Sequence, residues 1–120
     1  MNTTRLTKKT KLYVNDIYKT ALYYQDILNF KILKHENNKL VLARDDFKFE
    51  LIKKDSEVKL NCQICDLIWF LPSLDEFYEE IVLKKEKFKN KLIATLEEKI
   101  YGQRQIEIID CDGHKILISE

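Results

Sequence analysis

Hydrophobic and polar positions recur with two different periods along the chain, and each change of period marks a new element. Residues 10–14 alternate polar and apolar, which predicts a half-buried strand. Apolar residues then recur at helical spacing, which predicts an amphipathic helix over 17–28. Asn15-Asp16 offers an N-cap, and Asn29 is expected to end the helix in the left-handed conformation that usually selects glycine.

The rest of the first half shows the period of two that is typical of strands. Strands are predicted at residues 30–34, 39–43 and 47–52, with turns at Asn37-Asn38 and Asp45-Asp46. Residues 53–60 are polar and are predicted to be a linker.

The second half shows the same succession of periods. Strands are predicted at 64–71, 91–96, 103–109 and 114–119, with a turn at 110–113. A helix is predicted over 73–88, where Ser73-Leu74-Asp75-Glu76 has the pattern of a capping box. Its predicted buried stripe consists of Leu74, Phe77, Tyr78, Ile81 and Phe88.

Both halves therefore have the order strand, helix, strand, strand, strand, which indicates a duplication. The predicted fold is α+β: two βαβββ modules, 8–54 and 61–120, form one domain over 1–120. They are expected to form a curved mixed sheet with the helices outside and a concave face inside, the usual place for a ligand. Whether the modules pair within one chain or swap between the chains of an expected homodimer is left open.

Composition and charge exclude several classes of protein. The 120 residues carry 21 Lys and Arg against 20 Asp and Glu, a balance that argues against a nucleic-acid partner. No apolar run approaches the ~20 residues of a membrane span, so no membrane association is expected. The start of the chain has no apolar leader and there are three cysteines, which together favour the cytoplasm.

Four stretches resemble motifs of the vicinal oxygen chelate superfamily: Tyr13-Val14-Asn15-Asp16, residues 21–30, Tyr101-Gly102-Gln103-Arg104 and residues 110–116. The corresponding patterns are Val-x-Asp, Ala-x-Phe-Tyr-x-x-x-Leu-Gly-Phe, Tyr-Gly-x-Arg and Asp-Pro-Asp-Gly-x-x-Ile. Asn29 replaces the glycine and Cys111 the proline. The superfamily includes glyoxalase I, bleomycin resistance proteins, fosfomycin-modifying enzymes and extradiol dioxygenases, so the resemblance implies the glyoxalase/bleomycin resistance fold.

The resemblance also implies four positions for a divalent metal, since the enzymes of the superfamily hold one with two side chains per module. These positions carry Lys9, Glu50, Asp66 and Leu117. Leucine has no lone pair and a protonated lysine repels a cation, so Glu50 and Asp66 remain as weak metal candidates. No catalytic metal and no other cofactor are expected. Either the Lys9 ammonium replaces the ion between these carboxylates, or the three are rim charges without contact.

Strand alternation extends this set to a predicted ligand-binding surface. If Leu12 and Val14 face the helix, Tyr13 faces the cavity; likewise Leu67, Trp69 and Leu71 are assigned to the core. The predicted ligand-binding residues are Lys9, Lys11, Tyr13, Lys48, Glu50, Ile52, Asp66, Ile68, Phe70, Lys115 and Leu117. They suit a small amphipathic organic ligand, and the lysines favour an anionic or neutral one. The alternative is that the apolar members pack a dimer interface.

The resulting hypothesis is a small-molecule binding protein that resembles the bleomycin-resistance branch. The incomplete metal set favours a protein that is not an enzyme; the alternatives are a metal-dependent lyase or dioxygenase, and a partner-binding module. Cys62, Cys65, Cys111 and His114 form a competing zinc set, although the gap between the two pairs is far longer than in zinc fingers and a small buried cysteine is the more common case.

Overall fold

The computed structural model describes residues 10–54, 67–98 and 104–120. The chain divides into two compact units, residues 1–60 and 61–120, each of which has its own sheet and helix. Lys9, Asp66, Cys62, Cys65 and most of the predicted 53–60 linker lie outside the described residues, as do the starts of the predicted strands at 64–71 and 103–109.

Unit 1 comprises β1 (Lys11–Val14), α1 (Ile17–Asp26), β2 (Lys31–Glu36), β3 (Lys39–Arg44) and β4 (Phe47–Lys53). Its strands form sheet 1 in the order β1-β4-β3-β2, with β1 parallel to β4 and the other pairs antiparallel.

Unit 2 repeats this arrangement. It comprises β5 (Leu67–Phe70), α2 (Asp75–Lys87), β6 (Ile93–Glu98), β7 (Arg104–Ile109) and β8 (Lys115–Ser119). Sheet 2 has the order β5-β8-β7-β6, again with one parallel pair, β5 and β8. The predicted α+β fold with two βαβββ halves is therefore confirmed.

The ends of α1 are fixed by the residues that the sequence indicated. The Asp16 carboxylate accepts hydrogen bonds from the backbone N–H groups of Tyr18 and Lys19 at 3.1 and 3.2 Å. Asn29 has a φ of 59°, the left-handed conformation expected of it. The helix itself ends at Asp26, and Arg44 Nη1 donates to the Leu28 carbonyl at 2.7 Å, which satisfies one acceptor beyond its C-terminus.

Asp16→Ala is expected to lower the free energy of unfolding by about 1 kcal/mol, because two N-terminal amides of α1 lose their acceptor. Asp16→Ser is the matched control, since a serine hydroxyl can accept the same bonds. Urea denaturation of both variants measures the difference. An equal loss in the two variants would contradict a capping role for Asp16.

The core of unit 1 lies between α1 and one face of sheet 1. Tyr24 of α1 packs edge-on against Phe49 of β4 and Phe30, with ring centroids 5.0 and 5.6 Å apart. Alternate leucines from the strands complete this core, and all are buried: Leu12, Leu40, Leu42 and Leu51. The predicted inward position of Leu12 and Val14 is confirmed.

The core of unit 2 has the same plan with aliphatic strands. Trp69 of β5 packs against Phe77 of α2, with ring centroids 5.4 Å apart. The remaining buried strand residues of the described ranges are Leu67, Ala94, Ile106, Ile108, Ile116 and Ile118. Leu71, which was predicted to be buried, is only half-buried because β5 has ended at Phe70.

Three further local predictions in unit 2 are wrong. Helix α2 begins at Asp75 with Leu74 as N-cap, and the Ser73 hydroxyl accepts from the Asp75 N–H at 3.2 Å in place of a capping box. Tyr78 points away from the buried stripe and is 39% exposed. Strand β6 begins at Ile93 rather than at residue 91, because the Lys91 and Leu92 N–H groups bond back to the Phe88 carbonyl.

The N-terminus of α2 is held by charged residues distant in sequence. Glu120 accepts from Arg104 Nε at 2.7 Å and from the Leu74 N–H at 3.1 Å. Arg104 Nη2 also donates to Asp75 at 2.7 Å, so its guanidinium joins β7 to the helix. The hydrogen bond from Arg104, and after it the bond from the Leu74 N–H, lower the pKa of the Glu120 carboxyl to about 2. The carboxylates of Glu120 and Asp75 in turn raise the pKa of Arg104.

Glu120→Gln is expected to lose stability at neutral pH and to lose less of it in acid. Because the pKa of Glu120 is depressed, its contribution is complete above the ordinary value of 4.5 and disappears as pH falls towards about 2. Urea denaturation between pH 7 and 2 should therefore show the two proteins converging in acid. Glu79→Gln, on the exposed surface of α2, is the control; a pH-independent difference for Glu120→Gln would contradict the ion pair.

Candidate functional site

The face of sheet 1 that points away from α1, called here far face 1, carries every described residue of unit 1 that the sequence assigned to ligand binding. Lys48, Glu50 and Ile52 of β4 alternate with core residues, so they share this face. Lys11 is the register partner of Glu50, and Tyr13 that of Ile52. These five side chains thus form one patch at the parallel β1–β4 pair.

Glu50 is the buried charge of far face 1, with only 8% of the residue exposed. Its Oε2 lies 3.5 Å from Lys39 Nζ. Lys39 is the register partner of Ile52 on β3, which places it on the same face. A buried carboxylate requires such a counter-charge, so the carboxylate and Lys39 act as a pair.

The corresponding surface of sheet 2, far face 2, carries exposed apolar side chains among polar ones. Phe70 is 73% exposed, and Ile68 and Ile93 are also exposed large hydrophobic side chains. Leu117 is half-buried and is the register partner of both Ile68 and Glu107. Lys115 Nζ lies 3.9 Å from Glu107 Oε2. The predicted outward position of Ile68 and Phe70 and the inward position of Leu67 and Trp69 are confirmed.

The register of the parallel strand pair in each unit shows which residues of the two units occupy equivalent positions. Lys11 pairs with Glu50 in the parallel pair of unit 1, and Ile68 pairs with Leu117 in that of unit 2. Leu117 is therefore the structural equivalent of Glu50, as the sequence spacing indicated. A leucine cannot ligate a metal, so the described donor set does not fit the four-ligand metal centre that the resemblance implies.

Two side chains of these faces were missed by the sequence reasoning. Lys39 was not assigned a role, although it supplies the counter-charge of Glu50. Glu107 lies beside Leu117 on the neighbouring strand, so far face 2 also carries a carboxylate, displaced by one strand. The alternation of buried Ile106 and Ile108 would have placed Glu107 on this face.

Two residues of the competing zinc hypothesis, Cys111 and His114, lie within the described residues, and they differ in exposure. Cys111 is exposed, whereas His114 is buried at the end of the turn before β8. Asp110 shapes that turn, since its carboxylate accepts from the Asp112 and His114 N–H groups at 2.8 and 2.9 Å. Within residues 10–54, 67–98 and 104–120, no three metal-ligating side chains form a cluster.

Unit 2 also contains a cavity of about 200 Å³ that does not coincide with the predicted ligand-binding residues. It lies between the N-terminal end of α2 and strands β6 and β7. Its lining residues are Leu74, Tyr78, Leu96, Glu97, Arg104, Gln105 and Ile106. The Arg104 guanidinium in the wall of this cavity is already paired with Glu120 and Asp75. These contacts give Arg104 a structural role, since they join β7 to the N-terminus of α2.

Solved structures identify the fold that this pair of units represents. A bleomycin resistance determinant encoded on the transposon Tn5 is 19% identical over 95% of this chain and 96% of its own, with a TM-score of 0.73. A bleomycin-binding protein in complex with bleomycin gives 18% identity, coverages of 95% and 97%, and a TM-score of 0.73. Lactoylglutathione lyase from Agrobacterium tumefaciens gives 15% identity, coverages of 99% and 96%, and a TM-score of 0.72.

The chain therefore has the glyoxalase/bleomycin resistance fold of the vicinal oxygen chelate proteins. The resemblance drawn from the motifs is confirmed at the level of the fold. No family model matches the sequence, and no curated protein matches it. Neither α1 nor α2, the helices of the described ranges, has the length and apolar character needed to cross a membrane.

Proposed function

We propose that this chain binds a small organic molecule on its far faces and does so without a catalytic metal. The observation that carries the proposal is the exposure of large apolar side chains on the far faces, with Phe70 at 73% exposure. The opposite side of the same strand is buried in the core. An apolar surface beside fixed charges is typical of a ligand site. The likeness in fold to a protein solved in complex with bleomycin supports the proposal.

The ligand-binding residues in this proposal are those predicted from the sequence. On far face 1 they are Lys11, Tyr13, Lys48, Glu50 and Ile52; on far face 2 they are Ile68, Phe70, Lys115 and Leu117. Lys9 and Asp66 belong to the proposal by their sequence positions. We further propose that the protein acts as a homodimer in the cytoplasm.

The likeness in fold to a lactoylglutathione lyase supports the alternative of a metal-dependent lyase or dioxygenase. Against it stands the leucine at the position equivalent to Glu50, which removes one ligand of the metal set. Glu50 is also already paired with Lys39. The metal-free binding protein is therefore the better-supported function.

A thermal-shift screen of metabolites and divalent metals tests the proposal, because a ligand of the folded state must raise the melting temperature. We expect organic compounds to raise it equally with and without a chelator. At a concentration 100 times Kd the stabilisation is about 2.7 kcal/mol. Stoichiometric nickel, zinc, iron or manganese in protein purified without added ions, together with stabilisation only by metals, would support the enzyme.

A further inference from the structure

We infer that the ligand of far face 1 is an organic anion whose charged group lies between Lys11 and Lys48 and whose apolar body covers Tyr13 and Ile52; this inference rests on the proposed function. The strands of this face carry five lysines and two glutamates: Lys11, Lys31, Lys34, Lys39, Lys48, Glu36 and Glu50. The sign of the charge that remains after internal pairing determines which ligand the face favours.

Both carboxylates of far face 1 are already neutralised by lysines. Glu50 pairs with Lys39 at 3.5 Å, and Glu36 pairs with Lys34 at 3.4 Å. Among the described residues, the side chains of Lys11, Lys31 and Lys48 have no ion-pair or hydrogen-bond partner. The face therefore presents an excess of three positive charges, although the whole chain carries only +1.

Two of these unpaired lysines flank the buried carboxylate. Lys11 is the register partner of Glu50 on β1, and Lys48 precedes Glu50 by two residues on β4. Strand spacings of about 4.8 Å and 3.3 Å per residue place their Cα atoms roughly 8 Å apart, so both ammonium groups can reach one carboxylate ligand. Because Glu50 is occupied by Lys39, it does not cancel their charge.

An apolar surface continues from this pair of lysines in one direction. Ile52 follows Glu50 on β4, Tyr13 is its register partner on β1, and both are half-buried. The face thus has a cationic end and an apolar end along the same two strands. An anion with an aromatic or aliphatic body matches both ends at once.

The duplication supplies an internal comparison. At the equivalent positions of far face 2, Ile68 replaces Lys11 and Leu117 replaces Glu50. Lys115, equivalent to Lys48, already lies 3.9 Å from Glu107. The excess of unpaired lysine is therefore a property of far face 1 and is not a general feature of this architecture.

Three naphthalene compounds that differ in charge test the inference: 2-naphthoate, 2-naphthamide and 2-naphthylmethylammonium. Isothermal titration at low salt is expected to show naphthoate binding roughly tenfold or more tightly than the other two, as expected for charge-assisted hydrogen bonds. The variant K11Q/K48Q is expected to lose roughly tenfold in naphthoate affinity, with naphthamide unchanged. The control K19Q/K53Q removes the same charge from exposed positions outside far face 1 and should stay within about twofold.

The outcomes separate this inference from the proposed function. If naphthamide or naphthylmethylammonium binds as tightly as naphthoate, the anionic ligand is overturned and the proposed function stands. If K19Q/K53Q weakens naphthoate as much as K11Q/K48Q, the assigned location is overturned. If none of the three compounds binds at millimolar concentration, the inference is overturned, and the thermal-shift screen decides the proposed function separately.

Discussion

Phe49→Ala is expected to lower the free energy of unfolding by about 3–5 kcal/mol, the largest effect of any substitution considered. Phe49 is buried and packs edge-on against Tyr24 and Phe30, with ring centroids 5.0 and 5.4 Å away. Truncation removes the apolar contact area and leaves a cavity that α1 and sheet 1 can only partly close. The aromatic packing that joins the helix to the sheet is lost with it.

Phe70→Ala is the matched control, because it makes the same chemical change at a site that is 73% exposed. Its effect on stability is expected to stay within about 0.5 kcal/mol. If the proposed function is right, Phe70→Ala should instead weaken ligand binding. Urea denaturation measures the stability of both variants. Equal losses of stability in the two variants, or a loss below about 1 kcal/mol for Phe49→Ala, would contradict the assignment of Phe49 to the core and of Phe70 to far face 2.

The two faces of each sheet could be predicted from the sequence because strand alternation is a local property. Phe49 and Leu51 are buried and Glu50 lies between them on the other face, as a period of two requires. The left-handed Asn29 was also predictable, because a helix C-terminus selects few residue types. Duplication strengthened the prediction of the strand faces, since the alternation occurs in both halves.

The errors concern hydrogen bonds that the hydrophobic period of the chain does not indicate. Ser73 and Glu76 match a capping box, yet the Leu74 N–H is bound by Glu120, 46 residues further on. Strand β6 begins late because backbone bonds to Phe88 extend the turn after α2. Glu120 cannot be identified as a partner from a local window, and the bonds to Phe88 leave no signal in the hydrophobic pattern, so the boundaries were wrong while the order of elements was right.

The equivalent strand positions of the two units were predictable from the sequence, whereas the contacts of the residues at these positions were not. Spacing alone made Glu50 and Leu117 equivalent, and the paired strands agree. The role of Lys39 could not be deduced in the same way, because it depends on which residue of β3 faces Ile52. Without Lys39, Glu50 resembles a metal ligand; with it, Glu50 is half of an ion pair.

Glu50→Leu is expected to leave the stability unchanged or to raise it by about 1–2 kcal/mol. A buried carboxylate loses its hydration, and replacing both members of a buried ion pair by apolar residues is often neutral or favourable; removing one member is costly only when it leaves the other charge buried. Leu117 already occupies the equivalent position of unit 2, so the local architecture accepts leucine there. Lys39 is 37% exposed at its side chain and can be hydrated when its partner is removed.

Lys39→Met is the informative counterpart, because it leaves the Glu50 carboxylate buried without its counter-charge. We expect it to destabilise the protein by about 1–3 kcal/mol, less than for a fully buried pair because Lys39 is partly hydrated. The opposite signs of the two changes, measured by urea denaturation, would show that Glu50 is retained at a cost to stability. A loss of stability in Glu50→Leu as large as that in Lys39→Met would contradict this account.

Ligand titration of Glu50→Leu then separates the two candidate functions. Removal of Glu50 releases Lys39, so far face 1 gains a further unpaired cation beside Lys11 and Lys48. Naphthoate is therefore expected to bind at least as tightly as to the original protein. A metal-dependent enzyme would instead lose a metal ligand, and its bound metal and its activity would fall together. A stable Glu50→Leu protein that has lost a stoichiometric metal would establish the enzyme and overturn the metal-free binding protein.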